Sequence, residues 1–370
     1  MSSDSPIRRS IEVEYWVIDD AGRLTSPGDL VDVPGAEREF VEPILEIKTT
    51  PCETTAELRD ELFGRIHNAL DRAADRDKGL VPLATPLTSE EISEIPCDRT
   101  RIQNTVVGED FEYVRHCAGT HVHVEQLPGR AVDQLNTLIA LDPALALFNS
   151  ASHCRGEQLA TGARSKCYRR LAYDGLPNQG ELWPYVEDRE DWTQRLRACY
   201  DEFRERALAS GIADDTFTDC FEPESAVWTP VKLRESFGTV EWRSPDTTLP
   251  SQTIKLADTL AAITDTLRDC EVEIGGETPR VGDETIVLPE FDTVTDHVDT
   301  AIHDGLTESL RAYLERMGFE PHTYEPLSRT LEQEHTHDEP LTSDTARRLR
   351  REYADRLRTE VVQNEPLIAD

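Results

Sequence analysis

Three short segments repeat one arrangement, with chemically active residues two apart in apolar, β-prone surroundings. Ile11-Glu12-Val13-Glu14-Tyr15 carries two carboxylates, Thr120-His121-Val122-His123-Val124-Glu125 two imidazoles and a carboxylate, and Val240-Glu241-Trp242-Arg243 a carboxylate and a guanidinium. Side chains alternate along a strand, so each pair lies on one face. Leu45-Glu46-Ile47-Lys48 is a fourth such segment, with Glu39 seven residues upstream of Glu46. With 73 acidic residues in 370, an acid-x-acid spacing is commonplace, and Glu12 with Glu14 alone reads as a solvated strand face. The His-x-His pair is rarer in a chain of ten histidines. If the strands are neighbours, their polar faces merge into one surface of carboxylates, two His and an Arg. Such a surface needs cations to offset its repulsion. Carboxylate oxygens favour hard ions, so Mg²⁺ or Mn²⁺ is expected, and these bridge substrate phosphates. No Gly-x-x-x-x-Gly-Lys loop and no Gly-x-Gly-x-x-Gly occurs. A nucleotide would then be held by metal ions and basic side chains instead of a glycine cradle.

The elements that must position these residues are strands and amphipathic helices. Ile11–Ile18 and Ile44–Thr49 read as strands, parted by a stretch rich in Gly, Pro and Asp. Leu58, Leu62, Ile66 and Leu70 recur every four residues in a helix that Thr54 or Thr55 can cap and Gly79 can end. A strand at 80–84, a Pro-punctuated loop and the strand at 120–125 follow. Helices are expected over 131–148 (bent at Pro143), 192–208, 253–270, 293–317 and 343–363, with a strand at 239–243. Residues 155–185, rich in Gly, Arg and Tyr, read as a functional loop. The strands lack regular βαβ alternation, so the fold class is α+β, a mixed or mainly antiparallel sheet with helices packed on it. Residues 1–275 form the expected core and 276–370 a helical extension packed on it.

Composition sets the surroundings. The formal net charge is −34, which repels nucleic acid and anionic membrane surfaces as partners. Only five Lys stand beside 34 Arg, and the acids are spread along the chain, a pattern that suggests a cytoplasmic protein of a high-salt organism. No apolar run approaches the ~18 residues that span a bilayer, and the first ten residues lack the apolar centre of a signal peptide. Eight scattered cysteines without a Cys-x-x-Cys pair read as reduced, packing thiols. Homo-oligomerisation is left open by the sequence.

Taken in order, four motifs resemble a known family. These are Ile11-Glu12-Val13-Glu14, Glu46-Ile47-Lys48-Thr49-Thr50-Pro51, Gly119-Thr120-His121-Val122-His123-Val124 and Gly238-Thr239-Val240-Glu241-Trp242-Arg243-Ser244-Pro245-Asp246. The set, spanning roughly residues 10 to 270, resembles the second type of glutamate–cysteine ligase, a carboxylate–amine ligase group of the glutamine synthetase and guanidino kinase superfamily. Leu159-Ala160-Thr161-Gly162-Ala163-Arg164-Ser165 is similar to a loop of the same family. The resemblance implies a curved, mainly antiparallel, glutamine synthetase-like sheet holding ATP and Mg²⁺ (or Mn²⁺). It also implies the reaction, in which the γ-carboxylate of glutamate takes the terminal phosphate of ATP and the amine of cysteine displaces it. By position, Glu12, Glu14, Glu46, Glu241 and, less directly, Glu39 would be metal ligands. His121 would sit at a metal or phosphate and His123 would face the substrate. Arg243 would hold the glutamate or its acyl phosphate, with Arg164 and Lys166 on phosphate or carboxylate.

The chain departs from the family at Ser10, at Arg101-Ile102 and over Trp228-Thr229-Pro230-Val231-Lys232, where only Trp228 matches, which leaves the amine acceptor open. Two other function classes compete. His116, Cys117, His121 and His123 fall within eight residues, as in a zinc hydrolase. A regulator that binds ATP or an amino acid without catalysis is the other. The segment Glu332–Asp338 is a further, weaker metal candidate.

Overall fold

The computed structural model describes residues 5–173, 175–276, 278–334 and 341–364. Its centre is a seven-stranded sheet of β1 (Arg9–Asp19), β2 (Ala36–Arg38), β3 (Ile44–Lys48), β4 (Lys78–Val81), β5 (Thr120–Glu125), β6 (Val231–Arg234) and β7 (Thr239–Trp242). The order is β2-β3-β1-β5-β7-β6, and β4 joins the far half of β1. Every pairing is antiparallel. The α+β expectation holds, and the reason is in the connections, which carry helices without forming parallel βαβ units.

Alternation along β1 divides the molecule. Ile11, Val13, Tyr15 and Val17 point into the main core, where they meet the helices Thr55–Ala74, Ala131–Leu141 and Pro250–Thr266. The first of these starts at Thr54, whose side chain accepts from Glu57 N while Glu57 reaches back to the Thr54 backbone. It ends at Ala74, so Gly79 lies in β4 and does not terminate the helix. On the other face of β1, Glu12 and Glu14 give way to Trp16 and Ile18. The latter two are covered by the helix Ser343–Gln363, through Leu349 and Tyr353, together with Leu327 and Leu331. The guanidinium of Arg350 anchors this helix, bonding the carbonyls of Pro86 (3.1 Å) and Gly22 (3.2 Å) and pairing with Glu90 at 2.6 Å. The carboxylate half of the face is left open.

Several elements differ from the sequence reading. The helix expected over 293–317 is two helices, Phe291–His303 and Glu308–Arg316, broken at Gly305, whose φ of +69° suits glycine. The Pro-punctuated loop contains the helix Asp98–Val107, and Val231–Arg234 becomes the sheet's edge strand. The segment 155–185 contains the short helix Ala163–Lys166 and the π-helical turn Cys167–Leu171. Among the described residues no helix is long and apolar enough to cross a membrane. The metal candidate at 332–338 lies outside the described residues from 335 onward.

Candidate functional site

The strand register decides which polar groups meet. Glu12 lies opposite Lys48 on one side and His121 on the other, Glu14 opposite Glu46, and His123 opposite Glu241. One face thus gathers residues from four strands that are up to about 230 positions apart in sequence. His121 Nδ1 is 3.2 Å from Glu12 Oε2 and 3.9 Å from Glu241 Oε1. His123 Nε2 is 3.7 Å from Glu12 Oε1 and 3.8 Å from Glu241 Oε1, while its Nδ1 meets Thr239 Oγ1 at 3.0 Å. Glu14 Oε2 accepts from the backbone N–H of Gly119 at 2.6 Å. A Cβ at Gly119 would fall 2.1 Å from the Arg164 guanidinium, so only glycine admits that side chain.

The electrostatics are unequal across this face. Burial pushes Glu46 up to about 7, with Glu12 and Glu14 adding repulsion that Lys48, 2.8 Å away, offsets only in part. Burial likewise drives Glu39 well above its usual value, reinforced by Glu14 and Glu46. Burial also penalises Glu12, but the hydrogen bond with His121 and the nearby His123 imidazole outweigh this and hold it low. Glu241 is fully buried and still held well below the usual range, first by its ion pair with Arg243. Arg234 Nη1 adds a second contact to Glu241 at 2.7 Å. Burial, with Arg243 beside it, lowers His121, which favours a neutral imidazole.

A cavity of about 230 Å³ opens over this face. Glu12, Glu14, Glu39, Glu46, His121, Arg164 and Arg243 line it. His123 lies beneath, buried, with Nε2 aimed at the carboxylates and unpartnered. Lys166 is not part of this lining, and its ammonium donates to the Leu159 carbonyl at 3.0 Å. The opposite wall is apolar and aromatic, with Phe111, Val114, Tyr168 and Trp228, and it also holds Gln103 and Arg115. Sequence reasoning missed Lys48 as a charge partner, as well as Arg234, Tyr168, Gln103 and Arg115. Lys48 and Arg234 carried a signal, a two-residue spacing from Glu46 and Lys232 on strands. Gln103 and Arg115 carried none.

The chemistry of the donor set fits a hard divalent cation. Two groups, Glu12–His121–Glu241 and Glu14–Glu46–His121, keep their ligand atoms within 4.8 Å of one another. Neither group includes His116 or Cys117, which the zinc reading required. His116 lines a different cavity, and Cys117 donates to the Tyr113 carbonyl. Glu39 contributes to the lining but to neither compact group.

Beneath the site, Asp142 is fully buried and saturated by donors. Arg169 bonds it twice, at 2.6 and 3.1 Å, Trp242 Nε1 donates at 2.8 Å, and Ser244 Oγ completes the set. This node clamps the residues on both sides of Arg243. Arg164 adds bonds to the carbonyls of Ser244 (3.1 Å) and Arg243 (3.2 Å).

Known proteins share both sequence and fold with this chain. It is 26% identical over 272 residues to a protein of Frankia casuarinae with the provisional name glutamate–cysteine ligase 2-1, covering 66% of this chain and 63% of that one. A protein of Chloroflexus aggregans, provisionally named glutamate–cysteine ligase 2, is 26% identical over 270 residues, covering 68% and 63%. The chain thus matches under two thirds of the length of these curated relatives. No family model matches. Among solved structures, the glutamate–cysteine ligase of Francisella tularensis in complex with AMP superposes with a TM-score of 0.57 at 12% identity, covering 98% of this chain and 92% of that one. A bifunctional glutathione synthetase from Pasteurella multocida gives 0.55 at 13% identity, covering 96% and 53%. The chain is therefore similar in sequence to proteins named as glutamate–cysteine ligases of the second type, and it has the fold of these two solved structures.

Proposed function

We propose that this chain is an ATP-dependent ligase joining the γ-carboxylate of glutamate to the amine of cysteine through an acyl phosphate. One observation carries the reading: compact carboxylate–imidazole groups lie at a cavity that Arg164 and Arg243 also line. Phosphoryl transfer is mostly positioning and charge neutralisation, and that cavity supplies groups for both. Glu12, Glu14, Glu46, Glu241 and His121 are the residues that would hold Mg²⁺ or Mn²⁺. When bound, such ions neutralise and orient the phosphates of ATP.

The chain's own residues perform the rest. Arg243, tethered by Glu241 and clamped through Ser244 to the Asp142 node, presents a fixed cation to the glutamate carboxylate or its acyl phosphate. Arg164, locked against Gly119, offers a second. Neutral His121 leaves an imidazole nitrogen free of a competing proton. His123 stays below the cavity, fixed by Thr239 Oγ1 at its Nδ1, with Nε2 facing Glu12 and Glu241. The apolar wall of Phe111, Val114 and Trp228 excludes water from the reacting carbonyl.

A second reading within the class, a different amine acceptor, comes from the residues just after Trp228, where the chain departs from the family beside this wall. ADP release with Mg²⁺, ATP and glutamate, measured across a panel of amines, tests both. Cysteine-dependent ADP with a γ-glutamylcysteine product supports the first reading, and turnover with another amine alone supports the second. No amine-dependent ADP overturns both.

A further inference from the structure

Three cysteines converge at a place where the proposed reaction uses no thiol of the protein. Cys167 is fully buried, and its sulfur lies 3.7 Å from that of Cys154, with Cys117 near enough to push its thiol upward. Cys117 lines the carboxylate cavity, and Cys154 lines a second cavity of about 210 Å³ with Glu112, Tyr113, His116 and Arg155. Cys167 is thus the buried member between a thiol at each cavity. The three sulfurs are not among the described groups compact enough for a metal ion. The close pair suits a two-electron dithiol instead. A disulfide needs ~2.05 Å between sulfurs, so side-chain rotation must close the remaining gap.

The chain presents Cys154 deliberately. It ends one arm of a short hairpin, His153–Cys154 paired with Glu157–Gln158. The turn residues Arg155 and Gly156 have φ of +55° and +87°, the signs of a type I′ turn. A positive φ is uncommon for arginine, and Arg155 lines the same cavity as Cys154. The Arg155 guanidinium lies 4.3 Å over the Tyr113 ring and pairs with Glu112 at 3.0 Å. Both partners are more than 40% exposed, so a ligand carboxylate can displace Glu112 at little cost. The hydrogen bond from Cys167 lowers the Cys154 thiol against the opposing effect of burial, and Arg155 adds to the lowering. Cys154 is therefore the better nucleophile of the pair.

We propose that Cys154 and Cys167 form a thiol–disulfide exchange site for a small disulfide bearing carboxylates, admitted through the Arg155 cavity. The Cys154 thiolate attacks one sulfur of R–S–S–R, forming a mixed disulfide and expelling RS⁻, which takes up the proton that Cys154 lost. The Cys167 sulfur, losing its own proton, then attacks Cys154 and expels a second RS⁻, which leaves as RSH. Two protein thiols are oxidised and one small disulfide is reduced to two thiols. Closing the bond draws Cys167 from Cys117 toward the hairpin. Its neighbours Tyr168 and Arg164 line the carboxylate cavity, so the exchange alters ligand binding there. The site is independent of the ligase reading and does not require it.

The test uses the reduced, full-length protein, treated with cystine or with uncharged bis(2-hydroxyethyl) disulfide, then alkylated and mapped by peptide mass. The expected product has lost two hydrogens and yields a Cys154–Cys167 cross-linked peptide, forming roughly ten-fold faster with cystine. Arg155→Gln should remove the preference, and Cys167→Ala should stop at a half-cystine adduct on Cys154. Modification of exposed Cys97 while Cys154 and Cys167 remain reduced overturns the proposal. So does a stable Cys154 adduct without the cross-link in the unsubstituted protein. Equal rates with the two disulfides overturn the carboxylate requirement. Each readout is of covalent state and holds whether or not the chain turns over ATP.

Discussion

Two buried charge clusters sit back to back in this protein, and they are finished differently. Asp142 receives Arg169 twice, Trp242 and Ser244, so both of its oxygens have donors from the protein. Across the sheet, Glu12, Glu14, Glu39 and Glu46 line one cavity, with Glu241 buried beside them. There Glu46 and Glu39 are pushed upward by burial and by neighbouring carboxylates, Glu12 and Glu14 acting on Glu46 and Glu14 and Glu46 on Glu39, and His123 Nε2 has no hydrogen-bond partner. A cluster the protein completes by itself serves stability, because removing one member strands the others. A cluster left short of positive charge is a place for ligands to supply it.

The comparison can be broken at four points, taken from the largest effect downward. Arg243→Ala removes the cation facing the cavity and should cut turnover in the ADP assay at least ~10³-fold with the fold intact by circular dichroism. Near-full activity would remove Arg243 from the site. Asp142→Ala should cost about 3–5 kcal/mol in urea unfolding by leaving the Arg169 charge buried and unpaired. A loss below about 1 kcal/mol would show the node to be no structural clamp.

Asp246 is intermediate between the two clusters. It accepts from Ser150 N at 2.9 Å, yet its other oxygen is unpartnered and burial pushes it up to about 6, against a lowering by Arg164. Its folded value exceeds its unfolded value, so the stability it contributes is complete below about 3.8 and is lost as pH rises through 6. Asp246→Asn does not titrate. The melting temperature of that variant relative to the parent should climb between pH 4 and 6 and then level off, by on the order of 3 kcal/mol in stability. A flat difference would overturn the raised carboxyl.

The smallest effect has the sharpest sign. Glu46, pushed up to about 7, opposes folding when ionised, so at pH 8 Glu46→Gln should stabilise the metal-free protein. The same variant should weaken Mn²⁺ binding, followed by electron paramagnetic resonance, at least ~10-fold. Destabilisation of the metal-free protein would erase the distinction between the clusters.

Much of this arrangement is legible in local sequence. Strand β5 begins and ends where the alternation of Thr120–Glu125 sets it, and the helix Ser343–Gln363 matches its expected bounds. Both are long or strongly patterned enough for short-range preferences to dominate. The helix Asp98–Val107 escaped because its polar composition shows little periodicity, and it is held by the aromatic cluster around Phe111 and Trp228. The single helix expected at 293–317 failed because one glycine in a left-handed conformation outweighed a continuous apolar pattern.

By itself, then, the sequence determined which side chains share a strand face, because that follows from a two-residue period and needs no partner strand. It also carried the four motifs in which the chain resembles a known family. Only the tertiary structure decided which faces meet. Register placed Glu12 against His121 and Glu241 against His123, and it left Lys166 bonded to a carbonyl outside the cavity. It also brought Cys154, Cys167 and Cys117 together from positions that the sequence leaves scattered. The physical reason is the same throughout: alternation is a property of one strand, whereas proximity depends on how strands and loops pair.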